Sequence, residues 1–331
     1  PAERPRPAGM PANPERGDRR VRIVFMGTPE FAVPSLRELH RRGFRIEAVV
    51  TQPDRPRGRG HRVLPTPVAL EAERLGLPVY KPARVSEPEF AGELRRLEPD
   101  AIALVAFGQL IPKAILELPR LGCVNVHPSL LPRYRGASPI HAPILAGDAE
   151  TGVTTMLMDE GLDTGDILMQ ERVPIAPHEH AGDLHDRLAV LGARLLAETL
   201  DGLAAGRLVP VPQDDALASY APKVQKVELD WSLPHETVAR TIRGLSPFPG
   251  VYTFRGEQRL KLHRAVPGRG DPAQAAPGEV LAVGEEGIAV ACGGGSVLVT
   301  EVQPEGKAVM RAADFARGYR VAAGERWGRS A

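Results

Sequence analysis

Two polar side chains at the end of an apolar segment are the residues of this sequence best suited to chemistry. Asn125 and His127 interrupt the segment "CVNVH", and residues two apart in a strand point to the same side. An amide N–H and a protonated imidazole are both hydrogen-bond donors. Two donors on one face suit the oxyanion that forms at a carbonyl group under attack. The same pair, taken alone, is also typical of buried polar side chains that bond to neighbouring backbone.

A loop rich in carboxylates follows a later apolar segment. The stretch "MDEGLDTGDIL" at 158–168 carries four acidic residues and is interrupted by glycines. A carboxylate from this loop would hold the imidazole of His127 in its charged, donating form. The loop lacks the spacing of an EF-hand, and the histidines lack the spacing of metal ligands, so we expect no metal.

Strands that alternate with helices must position these residues. Short apolar segments predict strands at 22–26, 44–50, 101–107, 123–126 and 152–158, and the longest predicted helix covers 184–203. This alternation is typical of an α/β fold with a doubly wound, Rossmann-like, mostly parallel sheet, here over residues 21–205. Ligands of such sheets bind at the carboxyl ends of the strands, which is where Asn125 and His127 lie.

The remaining segments have a different composition. Residues 206–223 are rich in proline, aspartate and alanine and are predicted to be a linker. Residues 224–331 contain short strands separated by glycines, such as "GVYTFRG" and "GEVLAV", which predict a small β-barrel or sandwich domain. Residues 1–20 hold five arginines but lack the apolar core of a signal peptide, and we predict a disordered extension there.

The overall composition excludes several classes of protein. The 331 residues are 43% apolar and 25% charged, with a formal net charge of +1. These values are typical of a soluble globular protein and not of one that coats nucleic acid indiscriminately. No apolar run approaches the roughly 20 residues that cross a bilayer, so we expect no membrane contact. Cys123 and Cys292 have no nearby cysteine and are predicted to be buried thiols of a cytoplasmic protein.

The first strand and turn argue against a nucleotide cofactor. A dinucleotide fingerprint needs three glycines, whereas "MGTPEFAVP" supplies only Gly27. Glu30 lies in the first helical turn and would compete with a phosphate for the same amides. No P-loop motif occurs. Thr28 and Pro29 instead have the residue types of a helix N-cap and first helical position.

Several motifs together resemble a known enzyme family. The stretches "NVHPSLLPRYRGASPI" and "GVTTMLMDEGLDTGDIL" resemble the formyltransferases that use 10-formyltetrahydrofolate. In that family an Asn-x-His-x-Ser-Leu-Leu-Pro segment and a downstream Asp form a catalytic triad. The resemblance therefore implies that Asn125, His127 and Asp163 are catalytic.

Further motifs narrow the resemblance to one branch of the family. They are "MGTPEFAVPSL", "TQPDRPRGRG", "GDAETGVTTM", "YAPK", "DW" and "IRGLSPFPG", in that order over about residues 21–325. They resemble the members that formylate the amino group of methionine on initiator tRNA, for translation initiation. The implied fold adds an OB-like β-barrel, here 224–331, that binds tRNA. The "YAPK" to "DW" segment is about two residues shorter than expected, and Ser138 stands where alanine is usual.

The resemblance also implies where the formyl donor, 10-formyltetrahydrofolate, binds. The family's donor site includes the Ser-Leu-Leu-Pro loop, and the end of the preceding strand supplies backbone and an apolar wall. Simple core packing is an alternative role for the apolar residues of that strand end. The implied folate-binding residues are Ser129, Leu130, Leu131, Pro132, Phe107, Gly108 and Leu110.

A basic segment at 51–62 is the implied contact to the acceptor stem of the tRNA. It carries four arginines, namely Arg55, Arg57, Arg59 and Arg62, and a single acidic residue. A basic loop is by itself usually solvated surface, but near the active site it can reach a polyanion. Arg59 matches the key arginine of the family. Lys307 is the implied contact of the C-terminal domain, where "QPEGKAVM" has Ala308 in place of an expected second lysine. We expect a monomer.

Three alternative functions remain open from the residues alone. A formyltransferase acting on a small amine, such as a sugar nucleotide or glycinamide ribonucleotide, would keep the triad and would not need the arginine-rich segment. A formyltetrahydrofolate hydrolase domain is a variant of the same chemistry. A non-catalytic RNA-binding protein would need the basic segments and not the triad.

Overall fold

The computed structural model describes residues 21–57, 62–268 and 275–329. The predicted extension at 1–20 and the arginine implied to be central to tRNA contact, Arg59, lie outside the described residues. No helix among the described residues is long and apolar enough to span a bilayer.

Seven strands of the first part form one sheet in the order β5-β2-β1-β6-β7-β9-β10. The strands from β5 to β7 run parallel, and β9 and β10 are each antiparallel to the preceding strand. The sheet is therefore dominated by parallel pairing, as predicted. The strands of this part are β1 (Arg22–Gly27), β2 (Arg45–Val50), β3 (Arg55–Arg57), β4 (Arg62–Leu64), β5 (Val79–Tyr80), β6 (Ala101–Val105), β7 (Cys123–His127), β8 (Arg135–Gly136), β9 (Glu150–Leu157) and β10 (Ile167–Pro174).

Helices cover both faces of this sheet because successive strand residues alternate between two apolar layers. Ile23 and Phe25 of β1 join a core with α1, α2 and α6, whereas Val24 and Met26 join a second core with α3 and α4. The chain is thus doubly wound, as the alternating pattern predicts. The helices are α1 (Val33–Arg41), α2 (Pro67–Arg74), α3 (Pro88–Arg96), α4 (Lys113–Leu116), α5 (His141–Ala146) and α6 (Ala181–Ala204).

The chain changes direction across the sheet between β1 and β6, and this leaves a crevice at their carboxyl ends. The Phe107 carbonyl lies there and accepts hydrogen bonds from Thr28 Oγ1 (2.9 Å) and Gln52 Nε2 (3.3 Å). The prediction that Thr28 caps a helix is wrong. A 3-10 turn at Glu30–Ala32 intervenes before α1, and the Thr28 hydroxyl binds the neighbouring strand end instead.

The second part of the chain is rich in β-structure and has its own core. Its strands pair in the order β12-β13-β14-β17-β16-β15, with β18 beside β17. Trp231 and Trp327 pack together in this core with ring centroids 6.2 Å apart. The elements are β12 (Val227–Glu228), α7 (His235–Gly244), β13 (Val251–Arg255), β14 (Gln258–Pro267), β15 (Val280–Val283), β16 (Ile288–Cys292), β17 (Gly295–Pro304), β18 (Met310–Arg311) and α8 (Ala312–Tyr319).

The segment predicted to be a linker, 206–223, lies along the first part of the chain. Its strand β11 (Tyr220–Ala221) pairs in parallel with β8, and Val211 forms an isolated bridge with Ile167. A 3-10 turn at Asp215–Leu217 lies between these contacts. The segment is therefore bonded to the loops that follow β7 and β9.

The basic segment at 51–62 is also more regular than its glycines and prolines suggest. β3 and β4 form a two-stranded antiparallel hairpin in which Arg55 lies opposite Leu64. Val63 is 64% exposed, so the hairpin projects from the surface. The sequence predicts a polar loop here instead. A hairpin held mainly by its own backbone hydrogen bonds buries no apolar face, so its residues lack the apolar pattern by which a strand is predicted.

Two helices join the two parts of the chain. α5 packs against α7, and His141 Nδ1 lies 2.7 Å from the carbonyl oxygen of Gly244. Arg264 of β14 binds the Asp183 carboxylate of α6 at 2.8 and 2.9 Å. A histidine and an ion pair therefore connect the α/β part to the β-rich part.

We predict that His141 makes the stability of this junction depend on pH. Burial lowers the pKa of His141, although the bond to the Gly244 carbonyl opposes the shift. The unfolded chain then binds the extra proton more readily, so the free energy of unfolding falls as the pH drops through the folded-state pKa. Urea denaturation from pH 7.5 to 5 should show a shallower slope for His141→Asn, by at most about 1.4 kcal/mol per pH unit. Equal slopes in both proteins would contradict the prediction.

Candidate active site

Asn125 and His127 lie together on β7, as the two-residue spacing predicts. The strand is flanked by β6 and β9, and His127 lies opposite Thr154. Asn125 is partly exposed, and its side-chain amide makes no hydrogen bond to another described residue. Its N–H groups are therefore available to a ligand, whereas His127 is only 4% exposed.

The two ring nitrogens of His127 have different surroundings. Nε2 lies 2.9 Å from the carbonyl oxygen of Tyr134. Because a carbonyl only accepts, Nε2 carries the proton of the neutral ring. Nδ1 lies 3.7 Å from Oδ1 of Asp163, which is longer than a hydrogen bond. Nδ1 is therefore the nitrogen that can meet a reacting group.

The charge on His127 differs from the sequence-based prediction. Burial lowers the pKa of this imidazole, and the opposing effects of the Asp163 carboxylate and the Tyr134 carbonyl do not compensate. The ring is thus held neutral at pH 7 instead of in the charged form. The sequence predicts the carboxylate near the ring, but not how completely the ring is enclosed, and desolvation of the charged form has the larger effect.

Asp163 is held at both its side chain and its backbone. Oδ2 accepts a hydrogen bond from the backbone N–H of Gly136 (2.8 Å), and the Asp163 carbonyl accepts one from Gln213 Nε2 (2.9 Å). The residue has φ +54°, a left-handed conformation that is uncommon outside glycine. Gly165 follows where a Cβ would lie 1.8 Å from the Leu157 carbonyl oxygen, so only glycine fits the return to β10.

Hydrogen bonds from side chains of β9 and β10 hold the loop after β7 in place. Thr154 Oγ1 donates to the Ser129 carbonyl (2.7 Å) and accepts from the Leu131 N–H (3.1 Å), and Gln170 Nε2 donates to the Leu131 carbonyl (2.8 Å). Ser129 and Leu131 are 0% and 3% exposed. Their side chains therefore shape the loop, while Leu130 and Pro132 are partly exposed.

The residues that follow β6 also divide into buried and accessible side chains. The Phe107 side chain is buried in the core that includes residues of α3 and α4, so only its backbone lines the crevice. Gly108 is exposed with φ +85°, and Leu110 is 87% exposed. Among these residues, packing is the observed role of Phe107, whereas Gly108 and Leu110 lie on the accessible surface.

The basic hairpin begins beside this crevice. Gln52, which contacts the Phe107 carbonyl, also accepts a hydrogen bond from Arg55 (3.3 Å). Arg55 is exposed, and the backbones of Arg57 and Arg62 pair across β3 and β4. The hairpin therefore starts at the carboxyl ends of the parallel strands, the same end of the sheet at which β7 carries Asn125 and His127.

Lys307 lies in a second basic region, on the β-rich part. It is exposed in the turn after β17 and lines a cavity of about 170 Å³ with Lys226, Arg259 and Lys261. Arg259 stacks on Tyr252, with its guanidinium carbon 4.6 Å from the ring centroid. Burial and the charges of Arg259 and Lys261 lower the pKa of Lys226. Crowded cations on an aromatic face favour a polyanionic ligand.

Sequence reasoning missed several residues that support the site. Thr154 and Gln170 support the loop after β7, and Gln213 supports the Asp163 loop. Thr154 belongs to the "GVTTM" motif, which was a usable signal, but Gln213 lies in a segment without periodicity. In the described part of the chain no three His, Cys, Asp or Glu side chains are grouped as metal ligands. Cys123 and Cys292 are both buried, as predicted.

Two family models match most of the chain. Residues 20–200 match the family described as formyl transferase, and residues 223–320 match the formyl transferase C-terminal domain. The first match includes β1 to β10, and the second includes the β-rich part from β12 to β18.

The chain is also similar to enzymes of known name. It is 53% identical over 306 residues to the methionyl-tRNA formyltransferase of Citrifermentans bemidjiense, covering 92% of this chain and 95% of that one. It is 50% identical over 308 residues to the methionyl-tRNA formyltransferase of Moorella thermoacetica, covering 92% and 98%.

Solved structures share the fold at lower identity. An N-formyltransferase from Helicobacter canadensis, solved with folinic acid and dTDP-3-aminofucose, gives a TM-score of 0.63 at 19% identity and covers 86% of this chain and 99% of that one. HypX from Aquifex aeolicus with tetrahydrofolic acid gives 0.62 at 18%, covering 94% and 50%. With both family models and the relatives in agreement, the chain belongs to the formyl transferase family.

Proposed function

We propose that this chain transfers a formyl group from 10-formyltetrahydrofolate to the amino group of methionyl initiator tRNA. The observation that carries the proposal is the convergence of Asn125, His127 and Asp163 at one sheet edge, beside the base of an arginine-bearing hairpin. The relatives that are about half identical over nearly their whole length are named for this reaction.

Asn125 stabilises the charge that develops on the formyl oxygen. The attacking amine adds to the formyl carbon, and the electron pair of the carbonyl moves onto oxygen. The amide N–H of Asn125 has no protein partner among the described residues, so it is free to donate to that oxygen. A fixed donor in an enclosed site requires little reorganisation as the charge forms.

His127 moves the proton. Its neutral ring presents an unprotonated Nδ1, because the Tyr134 carbonyl holds the proton on Nε2. Nδ1 accepts the proton that the amine loses as it attacks. The electron pair on oxygen then re-forms the carbonyl, the bond between the formyl carbon and the donor nitrogen breaks, and Nδ1 returns the proton to that nitrogen. Asp163, 3.7 Å from Nδ1, stabilises the imidazolium while it exists.

The crevice fits a flat and partly apolar ligand such as folate, which supplies the formyl group. We assign direct contacts to Gly108, Leu110, Leu130 and Pro132, which are exposed or partly exposed. Ser129, Leu131 and Phe107 have buried side chains, so we assign them backbone contacts and the shaping of the crevice. No step of the proposed reaction needs a metal.

Two basic regions would hold the tRNA. Arg55, Arg57 and Arg62 of the hairpin, together with Arg59 of the same basic segment, would contact the acceptor end near the active site. Lys307 and the cations around it would contact the backbone farther along. We further propose that 21–205 and 224–331 act as catalytic and OB-like tRNA-binding domains, in a monomeric cytoplasmic enzyme.

The acceptor is tested directly by formyl transfer from labelled 10-formyltetrahydrofolate. We expect transfer to methionyl initiator tRNA, with a kcat/KM at least about a thousandfold above that for methionine amide, amino-sugar nucleotides or glycinamide ribonucleotide, because only the tRNA engages the cationic surfaces. Comparable rates with a small amine would overturn the tRNA assignment. Release of formate without any acceptor would indicate a hydrolase.

A further inference from the structure

We infer that Gln213 and Arg135 are positioning residues for Asp163, so that the segment joining the two parts of the chain is a component of the active site. The catalytic consequence of this inference rests on the proposed function. The geometry involves three chain segments, namely the loop after β7, the loop after β9 and the joining segment at 206–223.

The Gln213 amide uses all of its bonding groups on the other two segments. Nε2 donates to the carbonyl oxygens of Asp163 (2.9 Å) and Gly165 (2.7 Å), the two residues that flank Thr164. Oε1 accepts from Arg135 Nε (3.1 Å) and Nη2 (2.8 Å). A single side chain therefore joins the backbone of the Asp163 loop to the loop after β7.

Arg135 is the second half of this connection. Its side chain is 2% exposed, and a buried guanidinium is strongly disfavoured unless its donors are bonded. Gln213 and Asp215 supply acceptors, the latter at 2.8 Å. The next residue, Gly136, donates its N–H to the Asp163 carboxylate. Asp163 is thus held by its carbonyl through Gln213 and by its carboxylate through Gly136, and Arg135 ties these two contacts together.

The Asp163 loop needs external support. Asp163 adopts φ +54° without being glycine, and Asp159, Glu160, Gly161 and Leu162 before it are exposed. A left-handed conformation is disfavoured for residues that carry a Cβ and persists where surrounding contacts hold it. Local contacts alone, such as Thr164 on Asp159, do not reach His127. The bonds from Gln213 supply the constraint that sets the 3.7 Å gap between Asp163 and His127.

The kinetic test replaces Gln213 by leucine, which has similar size and no hydrogen-bonding group. We expect kcat for formyl transfer to fall about 10- to 100-fold with KM for both substrates within about threefold, since a displacement of about 1 Å near the reacting atoms has effects of this size. Gln225→Leu is the matched control, because Gln225 is exposed and lies two residues after the joining segment at 206–223. Its kinetics should equal those of the wild type.

A double-mutant cycle separates positioning from general damage. If Gln213 acts through Asp163, the double variant with Gln213→Leu and Asp163→Asn should have a kcat less than about threefold below that of Asp163→Asn alone. Gln213→Glu keeps an acceptor for Arg135 but loses both donations to the Asp163 loop, so it should be at least as slow as Gln213→Leu. Full additivity in the cycle, or wild-type rates for Gln213→Glu, would overturn the inference.

Two further measurements do not depend on formyl transfer. NMR titration of His127 in the apoprotein should give a lower pKa in Gln213→Leu than in the wild type, approaching that of Asp163→Asn, because the Asp163 charge raises it. Amide hydrogen exchange should accelerate at 159–166 and stay unchanged in α6. If both measurements match the wild type, the positioning role is wrong even if transfer to tRNA is observed. If both measurements change but no tRNA is formylated, the positioning role stands and only the proposed function is wrong.

Discussion

Replacing Asn125 by alanine is expected to lower kcat for formyl transfer about 100- to 1,000-fold while KM for either substrate changes little. In the proposed mechanism the amide donates to the oxygen on which charge develops, so its removal should affect the transition state more than the bound substrates. Asn125→Asp should be slower still, because a carboxylate of the same shape places negative charge against that oxygen. Both rates would be measured with methionyl initiator tRNA under single-turnover conditions, which exclude product release.

His127→Ala is expected to be at least as slow as the asparagine variant, since it removes the group that accepts the proton at Nδ1. His40→Ala is the matched control, because His40 is exposed on α1. Thermal denaturation would establish that each variant is folded. If Asn125→Ala and His127→Ala both stay within threefold of the wild-type kcat, the catalytic assignment is wrong.

Replacing the four arginines of the basic segment at 51–62 should impair the use of tRNA and leave the use of 10-formyltetrahydrofolate largely unchanged. We expect Arg59→Ala to raise KM for methionyl-tRNA about tenfold, and the change of Arg55, Arg57, Arg59 and Arg62 to serine to raise it further. Each lost phosphate contact should reduce the slope of log KM against log salt by about one. KM for 10-formyltetrahydrofolate should change much less, because none of the four arginines is among the residues assigned to the donor crevice.

Arg95→Ala provides a control for the loss of charge alone, because Arg95 is exposed on α3. Its tRNA kinetics should match the wild type at every salt concentration. Arg59→Lys tests geometry, because lysine keeps the charge but loses the planar donor pattern of the guanidinium. Unchanged tRNA kinetics for Arg59→Ala at low and moderate salt would rule out the proposed contact.

Local patterns account for the parts that were predicted well. The strand ending in Asn125 and His127 was recognisable because a buried parallel strand is continuously apolar and two polar residues at its end are conspicuous. The doubly wound sheet followed from the alternation of strands and helices, and the family followed from the motifs around the triad. These features depend on residues that are close together in the chain.

Other features depend on contacts between distant segments. Gln213 is 50 residues from Asp163 and 78 from Arg135. Nothing in its own surroundings, a proline- and aspartate-rich stretch, marks it as more than part of a linker. Thr28 was predicted to cap a helix because its neighbours are of the right type. It donates instead to the Phe107 carbonyl, 79 residues away.

The fold class, the family and the candidate triad can all be predicted from the sequence alone, because short-range periodicity or contiguous motifs encode each of them. Only the folded chain shows how deeply His127 is buried, which side chains of the loop after β7 are buried and which are accessible, and which groups Gln213 binds. These are set by burial and by hydrogen bonds between segments far apart in the chain. Burial and long-range hydrogen bonds exist only in the folded chain, so they cannot be predicted from residues that are neighbours in the sequence.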